Sequence, residues 1–218
     1  MIEPALILDS HEQWLPAPVD AIIEAGAKID GTHITSLDQL TAGTEQSRID
    51  FPPDMRPLTS VVPVGYHRAE QAGGLWWHQF WLFYLYNPKK YAGFGEHEGD
   101  WEMVQLGCTD VDGDHPILMT FSQHDGGEKR EFWRTELLVE GKPAVYVARD
   151  SHANYPAPVR DVTDIADGRM GPIPVLWQEL GPWAAWPGKW GNSDNSPDPL
   201  TTRRAWQAPH AYHGQARG

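Results

Sequence analysis

Residues 95 to 102 read GEHEGDWE, eight positions holding four carboxylates and an imidazole, and they run directly into the apolar MVQL. If DWEMVQL is a strand, side chains repeat every second residue, and Asp100, Glu102, Val104 and Leu106 share one face. Two carboxylates then enter the sheet beside aliphatic core positions, where each needs a metal, a cation or hydrogen-bond donors to offset its desolvation. His97, in the turn just before, can close on the same point. One imidazole and two carboxylates suit magnesium, manganese, calcium, iron or zinc, with room for water. A structural reading competes: Asp100 caps the turn, Glu102 pairs with an arginine such as Arg134, and His97 is solvated. Glu96 and Glu98 fall to the turn, with Glu98 within reach as a base. A zinc helix of the HExxH type is excluded, because the residue four after His97 is Trp101 and Gly99 weakens any helix.

A second pair lies in VYVARDSHANYP, where alternation puts Tyr146, Ala148, Asp150 and His152 on one face. Asp150 and His152 can serve as a base with its orienting carboxylate, as added metal ligands, or as a hydrogen bond that holds the turn before Pro156. His124 shares a face with Ser122 and Thr120 and can reach the same rim. Arg130, Arg134 and Arg149 are the cations placed to neutralise that rim or to receive an anionic substrate group. Trp101 within the motif, and Trp190 with Trp183 and Trp186 in a Gly/Pro-rich stretch, offer flat surfaces for a ligand; the late tryptophans serve equally as a lid packed on the sheet. His78, amid tryptophans, reads as a core histidine. No GxSxG turn, GxGxxG turn or GxxxxGK[ST] loop is present, which speaks against a serine nucleophile and nucleotide cofactors.

The elements that must position these residues are mostly short β-rich runs. PALILDS reads as a first strand. PAPVDAIIEAGAKIDG reads as a helix, with Pro18 at its first turn and Val19, Ile22 and Ile23 at helical spacing. SLDQLTAG adds a turn capped by Ser36. From residue 59 onward TSVVPVGYH, GLWWHQFWLFYLYN, DWEMVQLGC, HPILMTFSQH, EFWRTELLV, PAVYVARDSHANY and GPIPVLWQEL alternate with Gly, Pro, Asp and Asn. That spacing predicts an antiparallel sandwich or barrel. The Trp76 to Tyr86 run is apolar on both faces, as a central strand covered on two sides must be. DVDGDHP carries the hairpin signal Asp112-Gly113. From Gly181 the chain reads as an irregular Trp/Gly/Pro-rich C-terminal segment.

At 218 residues the chain fits one domain, spanning residues 1–218, and no repeat or linker divides it. A formal net charge of −13 disfavours nucleic acid and anionic membranes and favours cationic ligands or metal ions. The apolar run around His78 is too short to span a bilayer. A single cysteine, Cys108, excludes an internal disulfide. The first residues lack the features of a secretory signal, and the chain is expected to be cytoplasmic.

Together, LILDSHEQWLPAPVDAII, FWLFYLYNPKK, GEHEGDWEMVQL, AVYVARDSHANYP and PGKWGNSDNSPDP resemble, in order and spacing, the vacuolar protein sorting-associated protein 62 family. A more distant similarity is to the necrosis-inducing-like cytolysins, whose Gly-His-Arg-His-Asp-Trp-Glu signature has the same H-x-x-D-x-E spacing. The resemblance implies a β-sandwich, jelly-roll-like, that binds a divalent cation and recognises plant sphingolipid headgroups, with His97, Asp100 and Glu102 as the metal ligands. Where the cytolysins have YFPKD and use its Asp near the metal, this chain reads LYNPKK, with Lys90 at that place; the resemblance then leaves Asp150 or His152 to complete the site. Two functions are expected from these readings. The first is a metal-dependent hydrolase or lyase/cyclase acting on a small metabolite, with Asp150, His152 and Glu98 as catalytic groups and Trp101, Arg134, Arg149, His124 and Trp190 around the substrate. The alternative is a metal-assisted module binding a glycan or lipid headgroup.

Overall fold

The computed structural model describes residues 1–57, 62–88, 95–124, 126–161 and 163–191. Ten strands carry the architecture: β1 (Ala5–Leu8), β2 (Val64–Ala72), β3 (Leu75–Asn87), β4 (His97–Cys108), β5 (Pro116–Gln123), β6 (Gly126–Glu131), β7 (Ala144–Val147), β8 (Asn154–Tyr155), β9 (Met170–Ile173) and β10 (Leu176–Glu179). The larger sheet has six strands in the order β10-β2-β3-β4-β5-β6, and the smaller has four in the order β8-β7-β1-β9. The fold is mainly β and sandwich-like, as expected, and its pairings are antiparallel except for β10 with β2 and β1 with β7.

The long apolar run becomes the central strand β3. Phe80, Trp81, Leu82, Phe83 and Tyr84 are all fully buried, because both faces of the sheet are covered at this point. Directly opposed residues share a face. Leu82 opposes Glu102, Tyr84 opposes Asp100, and Phe80 opposes Val104, so the acidic residues of β4 and its aliphatic core positions lie on one side. On the other side Trp81 opposes Met103 and Phe83 opposes Trp101. That side is an aromatic layer: Trp101 packs against Phe83 at 4.8 Å between ring centroids, Trp183 at 5.7 Å and Trp190 at 5.2 Å.

Two expectations are corrected. EFWRTELLV is not a strand: Phe132–Arg134 and Val139–Gly141 are 3-10 turns, and the sheet ends instead on β6, whose polar sequence GGEKRE shows no apolar alternation. An edge strand needs no such pattern, and charged side chains there discourage pairing with another chain. The N-terminal helix is one turn, Ala21–Glu24, with Gly26 at φ +74° just past it. Ser36 caps the 3-10 helix Leu37–Ala42 with a capping box completed by Gln39, as its position predicts.

Candidate functional site

Gly99 makes the site possible. In an unbroken pleat His97 and Asp100, three residues apart, point to opposite faces. Gly99 has φ +60°, a left-handed conformation in the middle of β4, and a Cβ there would lie 1.6 Å from the carbonyl oxygen of Trp190. Only glycine tolerates both conditions. Across this kink His97 Nε2 comes to 3.9 Å from Asp100 Oδ1, and the Asn87 amide nitrogen donates to Asp100 Oδ2 at 3.3 Å.

Asp100 and Glu102 are 2 % and 5 % exposed; Asp100 is tied to the turn between β7 and β8, and Glu102 to β5 and β8. His152 Nδ1 lies 2.8 Å from Asp100 Oδ2. The Ser122 hydroxyl donates to Glu102 Oε2, which also receives the Asn154 amide nitrogen at 3.4 Å. Behind His152 stands Glu12, contributed by the loop that follows β1; its Oε1 lies 3.8 Å from His152 Nε2. Three backbone N–H groups hold the Glu12 carboxylate: those of Gln13 at 2.8 Å, Trp14 at 2.7 Å and Asp150 at 2.7 Å. The His152 ring stacks on Tyr84 with centroids 3.7 Å apart and planes 1° from parallel.

Electrostatics follow from this packing. Burial alone pulls the His152 imidazole toward neutrality, but its hydrogen bond to Asp100 and the nearby Glu12 carboxylate outweigh that and raise its pKa to about 9. Burial pushes Glu12 up, yet the contact with His152 and the backbone donors leave it below the ordinary glutamate value. Burial, then the nearby charges of Glu12, Glu102 and Asp100, push the Tyr84 phenol well above its usual pKa, so it keeps its proton.

A cavity of about 480 Å³ opens over His97, lined by Pro52, Pro53, Met55, Arg56, Tyr86, Glu96, His97 and Glu98. Glu98 Oε2 accepts from the backbone N–H of Phe51 at 3.3 Å, and the Tyr86 hydroxyl donates to Glu96. His97 thus lies between an open cavity and the buried Asp100 carboxylate.

The structure brings together His97, Asp100 and His152, with Glu98 on the cavity wall, holds Glu102 two residues along β4 on Ser122 and Asn154, and scatters the other candidates; among the described residues the carboxylates and imidazole whose ligand atoms lie within 4.8 Å of one another are Asp9, His11 and Asp167. His152 is fully buried. Asp150 does not share its face: the strand stops at Val147, both residues take left-handed conformations at φ +66° and +55°, and Asp150 Oδ2 lies 3.6 Å from Arg149 Nε at a half-exposed position. The contact Asp150 makes with Glu12 is through its backbone. Trp101 and Trp190 are fully buried in the aromatic layer and form no exposed stacking surface; the late tryptophans are a packed lid. Arg134 is exposed, over the Trp133 ring and 3.3 Å from Glu131, far from the role of partner to Glu102. His124 Nε2 bonds Asp164 Oδ2 at 2.7 Å. Arg149 lines a separate cavity of about 410 Å³ beside Asp9, His11 and Asp167. Lys90 lies outside the described residues, as does most of PGKWGNSDNSPDP. Sequence reasoning missed Glu12, Asn87, Tyr84 and Asn154; Asn154, two residues beyond His152, was the one within reach of the same alternation.

A family model described as vacuolar protein sorting-associated protein 62 matches residues 85–167, the span that holds His97, Asp100, Glu102, Ser122, His152 and Asn154. No curated protein matches the chain. Among solved structures, the non-toxic HaNLP3 protein is 12% identical, with a TM-score of 0.55 and coverage of 99% of this chain and 89% of that one. NLPPya in complex with glucosamine is 16% identical, with a TM-score of 0.46 and coverage of 81% and 68%. Necrosis and ethylene inducing protein 2, from the causal agent of cocoa's Witches Broom disease, is 16% identical, with a TM-score of 0.45 and coverage of 81% and 70%. The segment match and the fold shared with HaNLP3 bear out the two resemblances read from the sequence.

Proposed function

We propose that this protein is a divalent-cation-dependent binding module whose ion rests on His97, Asp100 and Glu102 and faces a hydroxyl-rich ligand, a glycan or lipid headgroup, in the cavity above. The observation that carries this reading is the position of His97, which lines the cavity while its Nε2 lies 3.9 Å from the buried Asp100 carboxylate. The donor types, two carboxylates and one imidazole, are those a hard cation takes, and with His97 and Asp100 3.9 Å apart the ion requires the Glu102 side chain to swing in from Ser122. Such an ion, when bound, supplies a positive centre to which a hydroxyl oxygen of a sugar can bind. His97 and Glu98 shape the entrance, and Glu96, Glu98 and Arg56 give the cavity wall polar groups for further hydroxyls.

The binding reading is favoured over the enzymatic one by the state of His152. A hydrolase or lyase needs an acid–base group that meets its substrate. His152 is enclosed between Asp100, Glu12 and the Tyr84 ring, which suits it to positioning a carboxylate, and Asp150 is turned out beside Arg149. No helix among the described residues is long and apolar enough to cross a membrane. The test is binding of the full chain to immobilised neutral glycans and glycolipid headgroups in calcium, manganese or magnesium, repeated after chelation. Cation-dependent retention that His97→Ala abolishes supports the reading; retention that chelation leaves unchanged, or turnover of a ligand, defeats it.

A further inference from the structure

The cavity of about 410 Å³ shares no lining residue with the one over His97, and Arg149, Arg160 and Arg169 all line it. The backbone ties their three segments together. Arg149 donates its N–H to the Ile165 carbonyl at 2.8 Å, and Arg160 opposes Ile165 in the short antiparallel pair of Val159–Arg160 with Ile165–Ala166. Asp167, the next residue, donates its N–H to Asp9 Oδ2 at 3.1 Å and accepts the Arg169 N–H on Oδ1 at 3.0 Å. The arginines therefore stand on one connected frame.

Their guanidiniums are not consumed by that frame. Arg149 Nε lies 3.6 Å from Asp150 Oδ2 and Arg169 Nε lies 3.8 Å from Asp167 Oδ2, both beyond hydrogen-bond length, and Arg160 has no acidic partner among the described residues. Elsewhere the chain pairs its arginines closely: Arg68 donates to Glu70, and Arg130 to Glu128. With 30 acidic residues against 17 basic ones, carboxylates are plentiful, yet none is hydrogen-bonded to these three guanidiniums among the described residues. Their donor forks are left for a ligand with acceptor oxygens. Asp9 and Asp167, also in the lining, are held by backbone donors: Asp9 by the N–H groups of His11 and Asp167, and Asp167 by those of Ser10 and Arg169. Each carboxylate keeps lone pairs to accept a hydroxyl.

We propose that this cavity binds a small soluble phosphate monoester of a polyol, with its phosphate on Arg149, Arg160 and Arg169 and its hydroxyls on Asp9 and Asp167. A guanidinium fork meets phosphate oxygens two at a time, and a doubly charged phosphate answers three positive groups better than a single carboxylate does. The volume suits a ligand of sugar-phosphate size. The net charge of −13 repels an anionic bilayer, whereas a small anion inside the cavity meets the nearby arginines with the rest of the surface screened by salt. The site is independent of the cation reading above.

The experiment is calorimetric titration of the full chain with glucose 6-phosphate and with glucose, before and after treatment with chelator, for wild type, Arg149→Ala, Arg160→Ala and Lys28→Ala. Wild type should bind glucose 6-phosphate and not glucose, each arginine variant should bind it about tenfold or more weakly, and chelation should change nothing. Lys28→Ala removes a positive charge outside the cavity and should match wild type. Circular dichroism verifies that the variants fold. No binding by wild type, equal binding of glucose, or arginine variants that bind as wild type does each overturn the proposal. So does an equal loss in Lys28→Ala, which would assign the effect to overall charge, or loss on chelation, which would assign it to a cation at Asp9, His11 and Asp167. Capture on phosphatidic acid vesicles without binding of glucose 6-phosphate would assign the guanidiniums to a lipid surface and overturn the soluble ligand.

Discussion

His152 Nδ1 lies 2.8 Å from Asp100 Oδ2, and the opposite edge of the same ring faces Glu12, so one imidazole joins a carboxylate of the large sheet to one from the loop after β1. With all three groups buried, the arrangement fixes the orientation of the Asp100 carboxylate beside His97. Second-layer contacts of this kind orient ligand carboxylates and histidines and are felt in affinity when lost.

Removing the ring leaves two buried carboxylates facing each other. His152→Ala should therefore lower stability by about 3 kcal/mol in urea unfolding, the scale seen when one member of a buried ion pair is deleted. A loss below about 1 kcal/mol, typical of surface pairs, would show that His152 does not hold the two together.

A cation that binds only the folded chain raises its melting temperature by mass action. At an ion concentration about 100 times Kd the gain is about 2.7 kcal/mol, or roughly 5–10 °C for a domain of this size. Differential scanning calorimetry in manganese and in excess chelator should give this difference for wild type and none for Asp100→Asn. Equal melting of wild type in both conditions contradicts the cation site.

Gly99→Ala meets both a left-handed backbone and the Trp190 carbonyl. We expect a loss of about 3 kcal/mol, among the larger single-residue effects. Gly31→Ala is the control: Gly31 has φ +85° with open space around it, so only the conformational strain of about 1–2 kcal/mol applies. Similar melting of the two variants would mean that the Trp190 contact contributes nothing.

Acid sensitivity should come partly from the stacked pair His67 and His78, whose rings approach with His67 Nε2 3.1 Å from His78 Nδ1. Burial, then the charge of His78, lower the His67 pKa to about 4, against about 6.5 in an unfolded chain. The folded state binds fewer protons than the unfolded one between those values. The contribution is thus complete above about pH 6.5 and is lost as pH falls toward 4. Melting measured from pH 7 to 4.5 should drop less steeply in His67→Gln than in wild type; parallel curves would assign the acid sensitivity elsewhere.

Legibility in the sequence followed periodicity. The β3 run and the phase of Asp100, Glu102, Val104 and Leu106 were readable because alternation and two-sided apolarity are local signals. Asp150 was misplaced for the same reason: alternation was extended past Val147, where the left-handed backbone at Asp150 and His152 ends it. Glu12 had no local signal, since only the parallel pairing of β1 with β7 carries its loop to His152. Trp101 and Trp190 looked available to a ligand because tryptophan on a Gly/Pro-rich background reads the same whether it lines a surface or fills a core. The composition gave their type, and the packing of the C-terminal segment onto β4 decided their burial.

The contacts at Gly99 and Glu12 also bear on modularity. The segment from 85 to 167 carries His97, Asp100, Glu102, His152 and Asn154, yet Glu12 enters from near the start of the chain and the carbonyl that shapes the kink at Gly99 enters from Trp190. A fragment trimmed to that segment keeps every proposed ligand and loses the contacts of Glu12 with His152 and of Trp190 with Gly99. The unit that can be transplanted or swapped as a block therefore runs from residue 12 to residue 190, well beyond the segment that the family model matches.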